Sequence, residues 1–151
     1  MSLDLMQREL EGITIVALRG RLVAGTEVGQ FRTLVQTLVA ESQVRIVLDL
    51  ADVHRIDSSG LGALIEGNTN VKAAGGALKL LNITERSAQL LVLTRLSTVF
   101  EIFSDEQSAI NSFFPDRDVK TFDILEFVKS SVKEDEKSLP AERDLESEPE
   151  A

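Results

Sequence analysis

The chain has 151 residues, a net charge of −9 and no cysteine. This length fits one domain with an appendage, and the absence of cysteine excludes disulfides, cysteine nucleophiles and thiolate metal sites. Nucleic acid is not expected as a partner, because neutralising its phosphates requires a basic stripe that the sequence does not supply.

The negative charge is concentrated towards the C-terminal end. Residues 1–114 contain 10 Lys/Arg and 13 Asp/Glu, whereas residues 115–151 contain 6 and 12. No apolar run approaches the roughly 18 to 20 residues of a membrane helix, and the N-terminus lacks a basic region followed by a hydrophobic stretch. We therefore expect a cytoplasmic protein with no direct membrane insertion.

The first part of the sequence predicts a hairpin followed by a helix. Residues 3–10 and 13–19 read as two strands at the margin of a sheet, separated by Glu11-Gly12. Thr26 is placed to cap the first helix. Apolar residues then recur at the spacing of an amphipathic helix, namely Val28, Phe31, Leu34, Val35, Leu38 and Val39.

Six residues between the next strand and helix carry the functional prediction. Val44–Leu50 is β-branched and apolar, which predicts an inner strand, and Leu61, Leu64, Ile65 and Val71 follow at helical spacing. Between them lies Asp57-Ser58-Ser59-Gly60-Leu61-Gly62. A serine at a helix start normally caps a free backbone N–H, and these N–H groups also attract anions. Spacing alone supports a capping role and a functional role for the serines equally.

The glycines of this segment favour the functional role. Gly60 and Gly62 place no Cβ on the first turn of the helix, which leaves the two hydroxyls approachable by another protein or by a phosphate. The helix should end at Ala74-Gly75-Gly76, where a glycine pair suits a left-handed C-cap.

The remaining core continues to alternate strand and helix. We predict a strand at Ala77–Leu81, a helix from Thr84 that buries Ala88, Leu91 and Val92, a strand at Val99–Phe103, and a short helix that is capped by Asp105 and ends at Phe113-Phe114. Such alternation implies parallel strands with right-handed crossovers. The predicted fold is α/β, a single mixed, largely parallel sheet of four to five strands with about four helices, plus a C-terminal extension. Sites in such sheets gather at the carboxyl ends of strands, where Ser58 falls.

The predicted domain covers residues 1–114, and the C-terminal extension that follows it is predicted to have two parts. Within residues 115–134, a helix from about 119 to 133 is indicated by Val119, Phe122, Leu125, Val128 and Val132. Its apolar face could dock on its own domain, which we favour, or on a partner or second copy. Residues 135–151 are acidic and rich in Glu, Ser and Pro, which predicts a disordered tail.

Several segments together resemble the STAS domain (sulfate transporter and anti-sigma factor antagonist) over roughly residues 3 to 114. They are Leu48-Asp49-Leu50-Ala51-Asp52-Val53, Ile56 to Gly62, Gly75-Gly76-Ala77-Leu78 and the final strand Val99-Phe100-Glu101-Ile102-Phe103. In bacterial anti-sigma factor antagonists of this family, the serine directly after the aspartate is phosphorylated by an anti-sigma factor that is itself a serine kinase. Carried over by motif, that serine is Ser58. Relatives often have an aspartate where this chain has Val23, so a contact made by that aspartate is not implied here.

The resemblance implies a phosphorylation-gated binding module that is not an enzyme. When Ser58 is unphosphorylated, the segment Asp57 to Gly62 would bind the kinase-type anti-sigma factor and release the sigma factor. A serine/threonine-type phosphatase would reset the phosphorylated form. ATP would be held by the partner, so no cofactor is expected. The sequence leaves the oligomeric state open.

The sequence also argues against catalysis and metal binding. The only histidine, His54, lies in a predicted polar turn, and Asp57 as a solvated carboxylate would activate a serine poorly at neutral pH. No Gly-x-Ser-x-Gly elbow, metal-ligand spacing or phosphate loop with a lysine is present. Two alternatives are an unphosphorylated STAS accessory subunit of a membrane lipid or anion transport complex and a small serine-dependent hydrolase.

Overall fold

A mixed five-stranded sheet organises residues 3–130, the part of the chain that the computed structural model describes. The strands are β1 (Leu3–Leu10), β2 (Ile13–Leu22), β3 (Arg45–Ile56), β4 (Ala77–Leu81) and β5 (Ile102–Phe103), and the helices are α1 (Thr26–Ala40), α2 (Ser58–Ala73), α3 (Glu85–Leu93) and α4 (Glu106–Asn111). Residues 124–130 are also helical. The strand order is β1-β2-β3-β4-β5, with β1 antiparallel to β2 and every other pair parallel. The predicted α/β fold is therefore confirmed.

Two hydrophobic clusters lie on opposite faces of this sheet. The larger joins the sheet to α1, α2 and α3 and includes Phe31, Leu48, Leu64 and Leu91, whereas the smaller joins it to α4 and includes Val47 and Ile110. Successive residues of a strand point to opposite faces, so β3 buries side chains in both clusters. Each fully buried large apolar side chain contributes about 1.5–3 kcal/mol relative to exposure. Within residues 3–130, no helix is both long and apolar enough to cross a membrane.

The strand before the serine segment is longer than predicted. It runs from Arg45 to Ile56 instead of ending at Leu50, because β2 also continues and pairs Gly20 with Val53 and Leu22 with Ile56. Register shifts in this stretch interrupt the alternation that would have revealed a strand. His54, predicted in a turn, therefore lies in β3, where it is exposed.

Several helix boundaries agree with the prediction and others do not. Thr84 and Asp105 cap α3 and α4 as predicted, each accepting a backbone N–H three residues on. Thr26 does not cap α1, because the cap position is taken by Gly25 at φ 109° with no side-chain hydrogen bond. The strand predicted from Val99 pairs only at Ile102–Phe103.

The helix α4 stops at Asn111 and does not reach the two phenylalanines, and a buried lysine contacts the turn that follows. Lys79 in β4 is 5% exposed, and its Nζ donates to the Ser112 carbonyl at 3.2 Å and to the Ser112 hydroxyl at 2.9 Å. The ammonium also lies 4.3 Å from the centre of the Phe113 ring and 3.3 Å from Glu101 Oε1. The Lys79 ammonium is thus bonded to Ser112, the residue that follows α4, and packed on Phe113, and these contacts fix the turn after the helix.

The helix at residues 124–130 begins later than the predicted position near 119, since Asp123 Oδ1 accepts the Glu126 N–H at 3.1 Å and fixes the first turn. Phe122, Phe127 and Val128 pack against the larger core. Leu125, predicted on the apolar face, is 54% exposed. The predicted tail at 135–151 lies outside the described residues.

Candidate functional site

The serine segment lies where two parallel strands end side by side. Leu22 and Ile56 are the last paired residues of β2 and β3, and the Asp57 N–H donates to the Leu22 carbonyl at 3.3 Å. The helix α2 begins at Ser58. Both serines, Ser58 and Ser59, are exposed at this carboxyl edge of the sheet, which is where ligand and partner sites gather in α/β folds.

The aspartate, and neither serine, caps the helix. Asp57 Oδ1 accepts the Gly60 N–H at 2.8 Å, and Oδ2 accepts the Ala24 N–H at 3.0 Å. The capping role considered for Ser58 or Ser59 is therefore wrong. Because the carboxylate fills the cap position, the serine hydroxyls are left for other partners.

The same carboxylate ties two loops into one surface. Ala24 belongs to the turn between β2 and α1 and is 33 residues away from Asp57 in the sequence. The bond places the exposed stretch Ala24–Gly25 beside the start of α2. The sequence did not reveal this second loop, because no local pattern indicates a hydrogen bond over that separation.

These bonds also lower the pKa of Asp57. The largest cause is the hydrogen bond from Ala24, followed by that from Gly60. Burial opposes these bonds, and the Ser59 N–H and the Arg55 charge lower the pKa further by smaller amounts. A carboxylate with a lowered pKa whose two oxygens accept backbone N–H groups is poorly suited to take a proton from a serine. Within residues 3–130, no hydrogen bond connects Ser58 to Asp57 or to His54.

Replacing Asp57 tests this arrangement. Asp57→Ala should lower the free energy of unfolding by about 1–2 kcal/mol, because it removes the cap of α2 and the bond to Ala24. The pKa of Asp57 in the folded protein lies below the ordinary value of 3.8. The ionised carboxylate therefore stabilises the fold above about pH 3.8, and this stabilisation is lost as the pH falls through the folded pKa. Urea denaturation at neutral pH and near pH 3 checks both statements. If the difference in unfolding free energy between the wild type and Asp57→Ala grew towards low pH, both statements would be contradicted.

The two glycines have different roles, and this corrects the sequence interpretation. A Cβ on Gly60 would lie 2.0 Å from the Leu22 carbonyl oxygen, whereas a Cβ on Gly62 would meet nothing within 4 Å. Gly60 is buried and lets α2 approach β2, and Leu61 is buried too, at 6% exposure. Six residues were predicted to contact a partner. Of these, Gly60 and Leu61 are buried below the surface and support it, and Gly62 is exposed with no side chain to cover the serines.

No arrangement for a metal ion accompanies these residues. In the described range 3–130, no group of three or more His, Asp and Glu side chains is placed to hold one. What the segment presents is two exposed hydroxyls at the positive end of a 16-residue helix, an environment that favours a negatively charged group.

Comparisons with known proteins agree on one family. The family model of the STAS domain matches residues 4–109. The anti-sigma-B factor antagonist of Bacillus subtilis (strain 168) is 33% identical over 72 residues, which cover 48% of this chain and 66% of that protein. The match thus spans slightly less than two thirds of this relative.

Two solved structures share the fold. The anti-sigma factor antagonist SpoIIAA in its unphosphorylated form superimposes with a TM-score of 0.65 at 19% identity, covering 76% of this chain and 100% of that one. The Bacillus cell fate determinant SpoIIAA in the phosphorylated form gives a TM-score of 0.58 at 20% identity, covering 73% and 99%.

Proposed function

The chain belongs to the STAS domain family, and we propose from this premise that it is an anti-sigma factor antagonist whose binding is gated by phosphorylation of Ser58. In the unphosphorylated state, the surface formed by the serine turn and the Ala24–Gly25 loop binds an anti-sigma factor with serine kinase activity. That binding releases the sigma factor. The names of the Bacillus relatives, one of which has a structure in a phosphorylated form, support this assignment.

The observation that carries the proposal is the exposure of Ser58 at the first position of α2, with the helix already capped by Asp57. A kinase can reach a hydroxyl in that position without unfolding the domain. A phosphate adds about −1.5 to −2 charges, and the N-terminus of a helix accommodates such a group. The modified domain should therefore keep its fold.

The effect of the phosphate falls on the interface instead. Asp57, with its lowered pKa, is ionised at neutral pH and directly precedes the phosphorylated residue. Placing further negative charge there within a contact surface costs free energy through repulsion and desolvation. The phosphorylated protein would dissociate from the kinase, and a serine/threonine-type phosphatase would return it to the binding state.

Phosphosite mapping tests the assignment. The full chain is immobilised, incubated with lysate of the source cells with and without ATP, and analysed by mass spectrometry together with the proteins it retains. We expect phosphate on Ser58 and a retained serine kinase that is released when ATP is added. Ser58→Ala should abolish the modification and keep the kinase bound.

Ser59→Ala is the matched control, because Ser59 is the neighbouring exposed hydroxyl on the same turn. This variant should still be phosphorylated and released. Phosphate found on Ser59 or elsewhere would contradict the assignment of Ser58. Retention of a membrane permease, with no phosphorylation in any variant, would select the role of a transport accessory subunit.

A further inference from the structure

Two exposed arginines lie side by side at the carboxyl edge of the sheet, next to the serine turn. Arg21 of β2 and Arg55 of β3 are directly opposite each other in the parallel ladder, and both are exposed. Arg21 comes three residues before Ala24, and Arg55 comes two residues before Asp57. The hydrogen bond from Ala24 to Asp57 thus joins the two loops that follow them. We refer to Arg21 and Arg55 as the arginine pair.

A β-bulge creates this juxtaposition. The register advances from Gly20 opposite Val53 to Arg21 opposite Arg55, so His54 is an extra residue of β3. In a regular ladder, Arg21 would lie opposite His54. Bulges are frequent next to functional sites, where they redirect a side chain. Here the extra residue brings the second guanidinium into line with the first.

The arginine pair points away from the helices α1, α2 and α3. The next pair in the register, Leu22 and Ile56, packs in the larger core on the helix side of the sheet. Successive residues of a strand point to opposite faces, so the two guanidinium groups lie on the other face. Ser58 begins α2, which packs on the helix side. A partner that contacts both must extend across the carboxyl edge of the sheet.

The charges of the arginine pair are not balanced locally. The preceding pair on the same face is Arg19 and Asp52, which have opposite charges and lie 3.8 Å apart from Nε to Oδ2. Neither Arg21 nor Arg55 forms an ion pair with a residue between 3 and 130, and the charge of Arg55 acts on Asp57 only as a minor effect. Like charges directly opposite each other in a sheet are destabilising. A local conflict of this kind is typical of a functional site.

We propose that the arginine pair binds carboxylate side chains of the anti-sigma factor, so that the interface continues from the serine turn across the carboxyl edge of the sheet. The guanidinium group is a rigid fork of N–H donors that matches a carboxylate in bidentate contact. Neighbouring strands are about 4.8 Å apart, so the pair can take two carboxylates from one acidic segment. The identity of this partner rests on the proposed function, whereas the preference of the pair for carboxylates does not.

Arg21→Gln is the principal test, because Arg21 is not among the groups that lower the pKa of Asp57. The dissociation constant of the full chain for the purified kinase should rise about three- to fivefold, and Arg21→Glu should raise it at least about tenfold. The loss should shrink as the ionic strength rises from about 0.01 M to about 1 M, because the Debye length falls from about 30 Å to about 3 Å.

The stability of these variants distinguishes a binding role from a structural one. Both substitutions remove the repulsion within the arginine pair, so the urea midpoint should be at or above that of the wild type while binding is weaker. Arg45→Gln is the matched control, since Arg45 is an exposed arginine at the other end of β3. It should leave the dissociation constant unchanged. Equal affinities of Arg21→Glu and the wild type would overturn the proposal, and the weak binding of Ser58→Asp would be unaffected by that result.

A titration without the kinase separates this proposal from the proposed function. The arginine Nε–H signals of the full chain are followed by NMR while acetyl-tetraglutamate amide is added at an ionic strength of about 0.01 M, with acetyl-tetraglutamine amide as the neutral control. We expect the acidic peptide to shift the signals of Arg21 and Arg55 and to leave that of Arg45 in place. Shifts that are absent, or equal at Arg45, would overturn the proposal.

Two further outcomes of this titration are decisive. If phosphorylation of Ser58 moved the signals of the arginine pair and the acidic peptide did not, the pair would be a ligand of the phosphate in cis, which contradicts the proposal. If the peptide moved the signals of the pair but no kinase were retained from lysate, the proposed function would be wrong and the carboxylate site would stand.

Discussion

Ser58→Asp is expected to bind the kinase-type anti-sigma factor at least about 100-fold more weakly than Ser58→Ala. Alanine adds no charge to the contact surface, whereas aspartate adds a carboxylate that must be desolvated on binding and that adds to the negative charge of Asp57 facing the partner. Juxtaposed like charges in an interface cost several kcal/mol, and each 1.4 kcal/mol changes the dissociation constant about tenfold. Isothermal titration calorimetry with the purified kinase measures the difference directly.

The fold of Ser58→Asp should be preserved, which separates this effect from unfolding. Ser58 is exposed in the first turn of α2, where a negative charge interacts favourably with the helix dipole. Urea denaturation should therefore give a midpoint at or above that of the wild type. Ser59→Asp is the matched charge control and should weaken binding less, since the proposal places the decisive charge at Ser58. Equal affinities of Ser58→Asp and Ser58→Ala would contradict the gating mechanism.

The fold could be predicted from the sequence because its determinants are local. Apolar spacing defines α1, the glycine pair ends α2 with Gly75 at φ 89°, and the strand at Ala77–Leu81 is observed with the predicted bounds. The alternation of strands and helices then fixes parallel pairing through right-handed crossovers. The segment that contains Ser58 was found for the same reason, since a strand passes directly into a helix there.

What the sequence could not show depends on contacts between distant residues. The bond from Ala24 to Asp57 and the fit of Gly60 against Leu22 join residues more than thirty positions apart. Lys79 resembles an ordinary surface lysine until Ser112 and Phe113 are seen around it. On the C-terminal helix the prediction is right for Phe122 and Val128, which pack on the core, and wrong for Leu125, which is exposed while Phe127 packs instead.

Gly60→Ala should destabilise the domain by about 2–3 kcal/mol, the largest loss expected from adding one methyl group to this site. A methyl at Gly60 would lie 2.0 Å from the Leu22 carbonyl oxygen and 2.9 Å from its carbon. Backbone atoms cannot move aside as a flexible side chain can, so α2 must shift away from β2. Overpacking typically costs about 1–3 kcal/mol, and here it also strains the Asp57 cap that depends on the Gly60 N–H.

Gly62→Ala is the matched control two residues further along the same helix. Its methyl would meet nothing within 4 Å, and alanine is favoured over glycine in a helix by about 0.8–1 kcal/mol. The same substitution should thus stabilise the domain at Gly62 and destabilise it at Gly60, which urea denaturation resolves by the sign of the midpoint shift. Equal stabilisation at both positions would mean that α2 does not press against the end of β2, and the close approach that positions Ser58 would be wrong.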